Sequence, residues 1–148
     1  CEKLLFNTLF FENIEEIIKI AETFGSQAVS ISIDYKYSIF GAAKFYKNSG
    51  RNKLVNTIDE IVSLFKKSKA GEIILNFIDH DGTFQGYDFR LLRHIKDKLN
   101  APIILLSGSC KKDTSTQAIA VGAHSVAASS RFIFHGQHKA VLIQYDRF

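Results

Sequence analysis

The sequence predicts an α/β chain: a run of strand–helix units belonging to a TIM-type (βα)8 barrel. Three observations lead there. First, apolar strand-like runs alternate with amphipathic helical stretches, the pattern of a parallel sheet covered by helices. Second, every run ends in polar residues, and barrels gather their sites from all strand ends on one face. Third, no G-x-G-x-x-G follows the first run, although an open dinucleotide-binding sheet would carry that fingerprint there. The chain has 148 residues, whereas a closed barrel typically has ~250. The expectation is therefore a single partial-barrel domain over residues 1–148, with strands missing upstream. A start at Cys1 and the absence of any Met agree with that.

The elements follow in order. Leu4 to Thr8 reads as a buried strand with Asn7 and Thr8 at its polar end. Asn13 with Glu16 three residues on resembles a capping box, and Ile14, Ile17, Ile18, Ala21 and Phe24 keep helical spacing up to Gly25. Val29 to Ile33 is the second strand, ending at Asp34. Residues 35–52 alternate aromatic and polar residues around Gly41 and close on Asn48-Ser49-Gly50, which reads as a hairpin lying over one face. Leu54, Ile58, Ile61, Val62 and Phe65 form the next helix, stopped near Gly71. Glu72 to Ile78 is a strand ending in Asp79-His80-Asp81-Gly82-Thr83. Leu91, Leu92, Ile95 and Leu99 mark a helix stopped at Asn100, before Pro102. Ile103 to Leu106 is a strand ending in Ser107-Gly108-Ser109. Thr114 and Gln117 suggest a cap for a short helix ending at Gly122. Ser125 to Ala128 is the last strand, ending in Ser129-Ser130.

Composition narrows the class. The chain is 46% hydrophobic and 23% charged, ordinary for a globular domain. No apolar run is long enough to span a bilayer, so no membrane role is expected. Net charge is +4, but no nucleic-acid motif accompanies it; solvated helix faces, or a mild field for a phosphorylated small molecule, account for the lysines. The two cysteines, Cys1 and Cys110, form no disulfide framework, which fits a reducing cytoplasm. His135 and His138 are three apart, yet no Cys or carboxylate completes a ligand set. No metal or cofactor is expected.

Several strand-end residues could carry chemistry. Asp34 suits a general acid or base, and equally a helix cap or a lysine partner. Asp79 and Asp81, two apart, would face the same way on an extended chain, although Asp-Gly is first a turn signal. Ser107, Gly108, Ser109, Ser129 and Ser130 fall at two adjacent strand ends, each before a turn or helix. Backbone N–H groups at such ends bind phosphate, and barrels place a phosphate site after their last two strands.

The stretches Phe24-Gly25-Ser26-Gln27-Ala28-Val29, Ile33-Asp34 and Ile78-Asp79-His80-Asp81-Gly82-Thr83 with Gly86-Tyr87-Asp88 resemble the HisF family, the cyclase subunit of imidazole glycerol phosphate synthase. The resemblance runs from Glu2 to about Phe134 and implies strands four to eight of the barrel. It implies that Asp34 is the second of two catalytic aspartates. Asn7 and Thr8 would hold one substrate phosphate, and Asp81, Gly82, Ser109, Ser129 and Ser130 the other, while Asp79 and Ser107 line the site. Lys3 and Glu72 would gate ammonia arriving from a HisH-type glutaminase subunit. The implied reaction joins ammonia to a phosphoribulosyl-formimino aminoimidazole carboxamide ribonucleotide and releases imidazole glycerol phosphate, a step of histidine biosynthesis. The isolated chain, lacking the first aspartate, would be inactive. Ser109 stands where the family has Gly. The tail from Phe132 to Ile143 resembles a HisF-like branch tied to amidination of surface sugars, which would make the barrel an ammonia conduit. An inactive barrel fragment is the third reading.

Overall fold

A computed structural model describes residues 2–83, 85–108, 112–128, 134–135 and 140–141. Strand β1 (Leu4–Phe6) leads into a short helix α1 (Thr8–Glu12), and α2 (Ile14–Phe24) follows. After one 3₁₀ turn at Ser26–Ala28 come β2 (Val29–Tyr37), β3 (Ala43–Lys47) and β4 (Asn52–Lys53). The chain continues through α3 (Ile58–Ser68), β5 (Glu72–Phe77), α4 (Arg90–Ile95), β6 (Ile103–Leu106), α5 (Lys112–Val121) and β7 (Ser125–Ala127).

Strands β1, β2, β5, β6 and β7 are parallel neighbours in chain order. A doubly wound sheet would reverse its order at a switch point; uninterrupted sequential order is that of successive barrel strands, and the fold is part of a TIM barrel. One face of the sheet is packed under the helices, with Ile31, Ile33, Ile73, Leu75, Ile103 and Leu105 at most 2% exposed. Ile17 of α2, Ile61 and Phe65 of α3 and Leu91 and Leu92 of α4 complete that core. The alternate residues face the other way and stay half-buried on β5 and β6.

The structure corrects the sequence reading of several elements. The second strand does not end at Asp34 but runs on to Tyr37, because β3 pairs antiparallel along its second half. The segment expected to lie over one face therefore extends the sheet. Its turn is closed by Gly41 N–H to Ser38 O at 2.8 Å, with Gly41 at φ +78°, and it buries Tyr35 against Phe45 on the helix-side core. The first strand is not buried: Leu4 and Leu5 are 38% and 59% exposed, since β1 has β2 on one side and no partner on the other among the described residues. Thr8 opens α1 rather than ending the strand. Helix α5 begins two residues before Thr114, so Thr114 and Gln117 lie inside it. The expected Asn13 cap does form, with its side chain accepting the Glu16 N–H at 3.4 Å.

A full capping box closes α3. The Thr57 hydroxyl accepts the Glu60 N–H at 3.3 Å while the Glu60 carboxylate takes the Thr57 N–H at 2.7 Å. Two otherwise orphaned donors are satisfied reciprocally. Thr57→Ala is expected to lower unfolding free energy by about 1 kcal/mol, read from chemical denaturation of the full-length protein.

Candidate active site

Asp34 sits near the end of β2 on the face away from the helices, and only 6% of it is exposed. It borders a cleft of about 550 Å³ whose wall includes Leu5, Asn7, Thr8, Ser32, Asn76, Ile78, Asp81 and Leu106. The alternation of β2 explains the split: Ser30, Ser32 and Asp34 share one face, and Ile31, Ile33 and Tyr35 the other. Burial pushes the Asp34 carboxyl above the ordinary carboxylate range. The Asp81 charge adds to the rise and a hydrogen bond from Asn76 opposes it. That bond runs from Asn76 Nδ2 to Asp34 Oδ1 at 2.8 Å.

Of the other predicted residues, the cleft collects Asn7, Thr8 and Asp81. Asn7 Nδ2 donates to Ser32 O at 2.9 Å, which ties the β1 end to β2. Thr8 Oγ1 accepts the Asn48 N–H at 3.0 Å and donates to Asn48 Oδ1 at 3.2 Å. Asp79 and Asp81 do not face the same way. Residues 79–83 turn rather than extend; Asp79 pairs with Lys36 at 3.0 Å, and only Asp81 enters the cleft wall. Gly82 has φ +73°, and a Cβ built there would meet open space. Ser107 is 1% exposed and its hydroxyl donates to Gly86 O at 3.2 Å, so it braces the loops. Gly108 N–H is engaged by His80 O at 3.0 Å, and Gly86 N–H reaches Gly108 O at 2.6 Å. Ser109, Ser129 and Ser130 lie outside the described residues, as do Cys110 and His138. Of the tail, Phe134–His135 and Ala140–Val141 pair as a short antiparallel ribbon, and the rest lies outside the described residues.

At the opposite end of the same sheet face, Lys3 Nζ pairs with Glu72 Oε2 at 2.5 Å, and Ser30 Oγ donates to Glu72 Oε1 at 2.5 Å. Burial works against the Glu72 charge, but these two hydrogen bonds, with the Lys3 charge, bring its carboxyl below the ordinary range. Ser30 and Asp34 are four residues apart on one strand, about 13 Å.

Two residues were given no role by the sequence reading. Asn76 is one; an amide inside the run Ile73-Ile74-Leu75-Asn76-Phe77 was its signal. The other is Asp88, 8% exposed. It accepts the Tyr37 hydroxyl at 2.7 Å, the Tyr35 hydroxyl at 3.0 Å and Arg90 Nε at 3.0 Å. Burial works against its charge, but these partners and the Leu91 N–H together hold its carboxyl below the usual range. Among the described residues no three His, Cys, Asp or Glu side chains group as metal ligands, and no helix is long and apolar enough to cross a membrane.

Sequential parallel strands with a polar cleft at their C-terminal ends define a TIM-barrel protein of the strand-end-site class. A family model described as histidine biosynthesis protein matches residues 1–139, and the chain belongs to that family, as a HisF-type member. It is 36% identical over 146 residues to a Leptospira borgpetersenii protein provisionally named imidazole glycerol phosphate synthase subunit HisF, covering 97% of this chain and 58% of that one. It is 37% identical over 150 residues to a protein of Vibrio vulnificus (strain YJ016), also provisionally named a subunit of that synthase, covering 97% and 56%. Against the imidazole glycerol phosphate synthase subunit HisF of Thermotoga sp. (strain RQ2) it is 35% identical over 133 residues, covering 90% and 52%. The chain thus spans a little over half the length of these relatives.

The raised Asp34 carboxyl has a stability consequence. The folded state holds its proton more tightly than the unfolded chain. That advantage is complete below the ordinary Asp value of about 3.9 and lost as pH rises through the higher folded value. At neutral pH the buried charge is a liability. Asp34→Asn is expected to raise the unfolding midpoint at pH 7, with the difference narrowing as pH falls through the raised folded value and gone below about pH 4. Thermal unfolding across a pH series checks this.

Proposed function

We propose that this chain is part of a HisF-type cyclase subunit of imidazole glycerol phosphate synthase, and that Asp34 is its general acid or base. The observation that carries the reading is one buried carboxylate, raised above its ordinary value by burial, on a cleft wall shared with Asn7, Thr8 and Asp81. A proton-transfer group works best with a titration point near the operating pH. Imidazole ring closure and cleavage of the bond to the aminoimidazole carboxamide each require a proton to move. A carboxyl alternating between its two states can serve both, with a second acid from outside these residues.

The long bisphosphorylated substrate calls for a grip at each end, because remote binding orients the reacting centre. Asn7 and Thr8, at the N-terminal edge of the cleft, are assigned to one phosphate. Asp81 and Gly82, with Ser107, Gly108, Ser109, Ser129 and Ser130, are assigned to the region of the other. Asp79 borders this region through its pair with Lys36. Gly108 N–H, already bonded to His80 O, would have to exchange that partner to reach a phosphate. The Lys3–Glu72–Ser30 cluster at the far end of the face suits an ammonia gate, an ion pair that opens by side-chain rotation. A HisH-type glutaminase docked there would supply the ammonia, in the cytoplasm. The 148-residue chain alone would not turn over.

The test uses the full-length protein, ammonium and the formimino ribonucleotide, following release of the aminoimidazole carboxamide ribonucleotide. Asp34→Asn is expected to lower kcat by about 10²–10⁴-fold. Full activity in that variant would remove Asp34 from the chemistry.

A further inference from the structure

Asn76 stands directly beside Asp34 in the parallel β2–β5 register. Its Nδ2 donates to Asp34 Oδ1 at 2.8 Å, and both residues border the cleft. Its own Oδ1 is buried with no hydrogen-bond partner among the described residues. A buried acceptor left without a partner carries its full desolvation penalty. The neighbours Ile73, Ile74, Leu75 and Phe77 are all apolar, and an aliphatic residue at 76 would avoid that cost. The amide is therefore expensive to the fold, and the residue it hydrogen-bonds is the carboxylate assigned to proton transfer.

We infer that Asn76 is the positioning residue for Asp34 and serves both of its states: the amide N–H holds the ionised carboxylate, and the amide carbonyl, brought round by rotation about χ2, accepts the O–H once Asp34 is protonated. The inference rests on Asp34 being the proton-transfer residue. When a proton arrives, one Asp34 oxygen changes from acceptor to donor, and its partner must change the opposite way. A carboxamide carries a donor and an acceptor on one planar fork, and its terminal torsion is broad and roughly two-fold, so one side chain can meet both needs. The hydrogen bond to the ionised form is the stronger of the two. Removing the amide therefore raises the titration point of Asp34, in the sense of the opposition already noted.

The other groups facing Asp34 do not take this role. Asp81, from the loop after β5, acts by charge and raises Asp34 further. Lys36, two residues along β2, is paired with Asp79. Tyr46 of β3 stands opposite Asp34 in the antiparallel register and makes no hydrogen bond to it. Asn7 is committed to Ser32 O.

The experiment compares Asn76→Val with Asn76→Thr in the full-length protein. The two side chains have nearly the same shape and differ by a hydroxyl, which can donate to a carboxylate or accept from a carboxyl. Asp34 titration is followed by carbon-13 NMR of the carboxyl, without substrate, and turnover is followed alongside. Expected for Asn76→Val are an Asp34 midpoint about one pH unit higher, kcat at least about tenfold lower and KM within about twofold. Asn76→Thr is expected to stay near wild type in all three. If the valine variant fails to fold, Asn76→Ala against Asn76→Ser gives the same contrast. Equal midpoints in the hydroxyl and aliphatic variants would overturn the inference. Turnover that survives Asp34→Asn would remove Asp34 from the chemistry and overturn the reading on which the inference rests, whereas the carboxyl titration still tests the Asn76–Asp34 pair by itself.

Discussion

The alternation of one strand governs this structure. Strand β2 pairs with β5 along one edge and with β1 and then β3 along the other, so all seven residues from Val29 to Tyr35 are buried. A strand held on both edges has no freedom to slip, because a one-residue shift would exchange its two faces. In the observed register, Ile31, Ile33 and Tyr35 enter the helix-side core, while Ser30, Ser32 and Asp34 are turned to the opposite face. The apolar half supplies the burial that offsets the cost of sequestering the polar half. Placement of Asp34 is therefore a by-product of the packing of its neighbours, and a local change at Asp34 leaves the frame that positions it intact.

The loop after β5 is fixed by a different device. Its far end carries Asp88, a charge enclosed by two tyrosine hydroxyls, an arginine and the start of α4. Arg90 also stacks over the Tyr37 ring, 3.6 Å from its centre. Because Tyr35 and Tyr37 lie on the helix side of β2, the anchor sits behind the cleft rather than in it. Nearer the cleft, the loop is joined to the end of β6 through the Gly86–Gly108 and Gly108–His80 backbone bonds. Asp81 and Gly82 project from between these two anchorages. An enclosed anion with full hydrogen bonding holds its geometry without exposing charge to a ligand, which separates holding the loop from whatever the loop contacts.

Much of this was legible from the sequence. Apolar runs and helical periodicity placed every major strand and helix, because burial under helices leaves a strong pattern in residues such as Ile73, Leu75 and Leu91. Clustering of polar residues at strand ends located the cleft for the same reason. Partnership was not legible. Tyr35 and Phe45 meet only once β3 folds back, and aromatic–polar alternation alone does not say whether a hairpin extends a sheet or covers it. Leu4 and Leu5 read as core because composition does not reveal that β1 has a strand partner on one side only among the described residues. Asp79 and Asp81 looked alike by spacing and were separated by the consecutive turns closed by His80 N–H to Phe77 O and Thr83 N–H to His80 O. Asn76 was passed over as one polar residue in an apolar run; its meaning depends on registry with Asp34, forty-two positions away.

The inner face of the sheet has two polar ends and a mostly apolar middle. Lys3, Ser30 and Glu72 occupy one end; Asp34, Asn76 and Asp81 occupy the other; Ile74 with Ser32 beside it and, across the sheet, Leu5 and Ile104 lie between. An ammonia conduit needs only a gate and an apolar passage, since a neutral small molecule is not helped by a buried anion. The second cluster adds nothing to such a passage and weakens the fold in two ways: burial of Asp34 works against its charge, and the Asn76 carbonyl has no hydrogen-bond partner among the described residues. Strain and unsatisfied polar groups persist where function uses them. A buried carboxylate with its own amide partner suits proton transfer, and it is on this ground that the cyclase reading is proposed over a conduit alone.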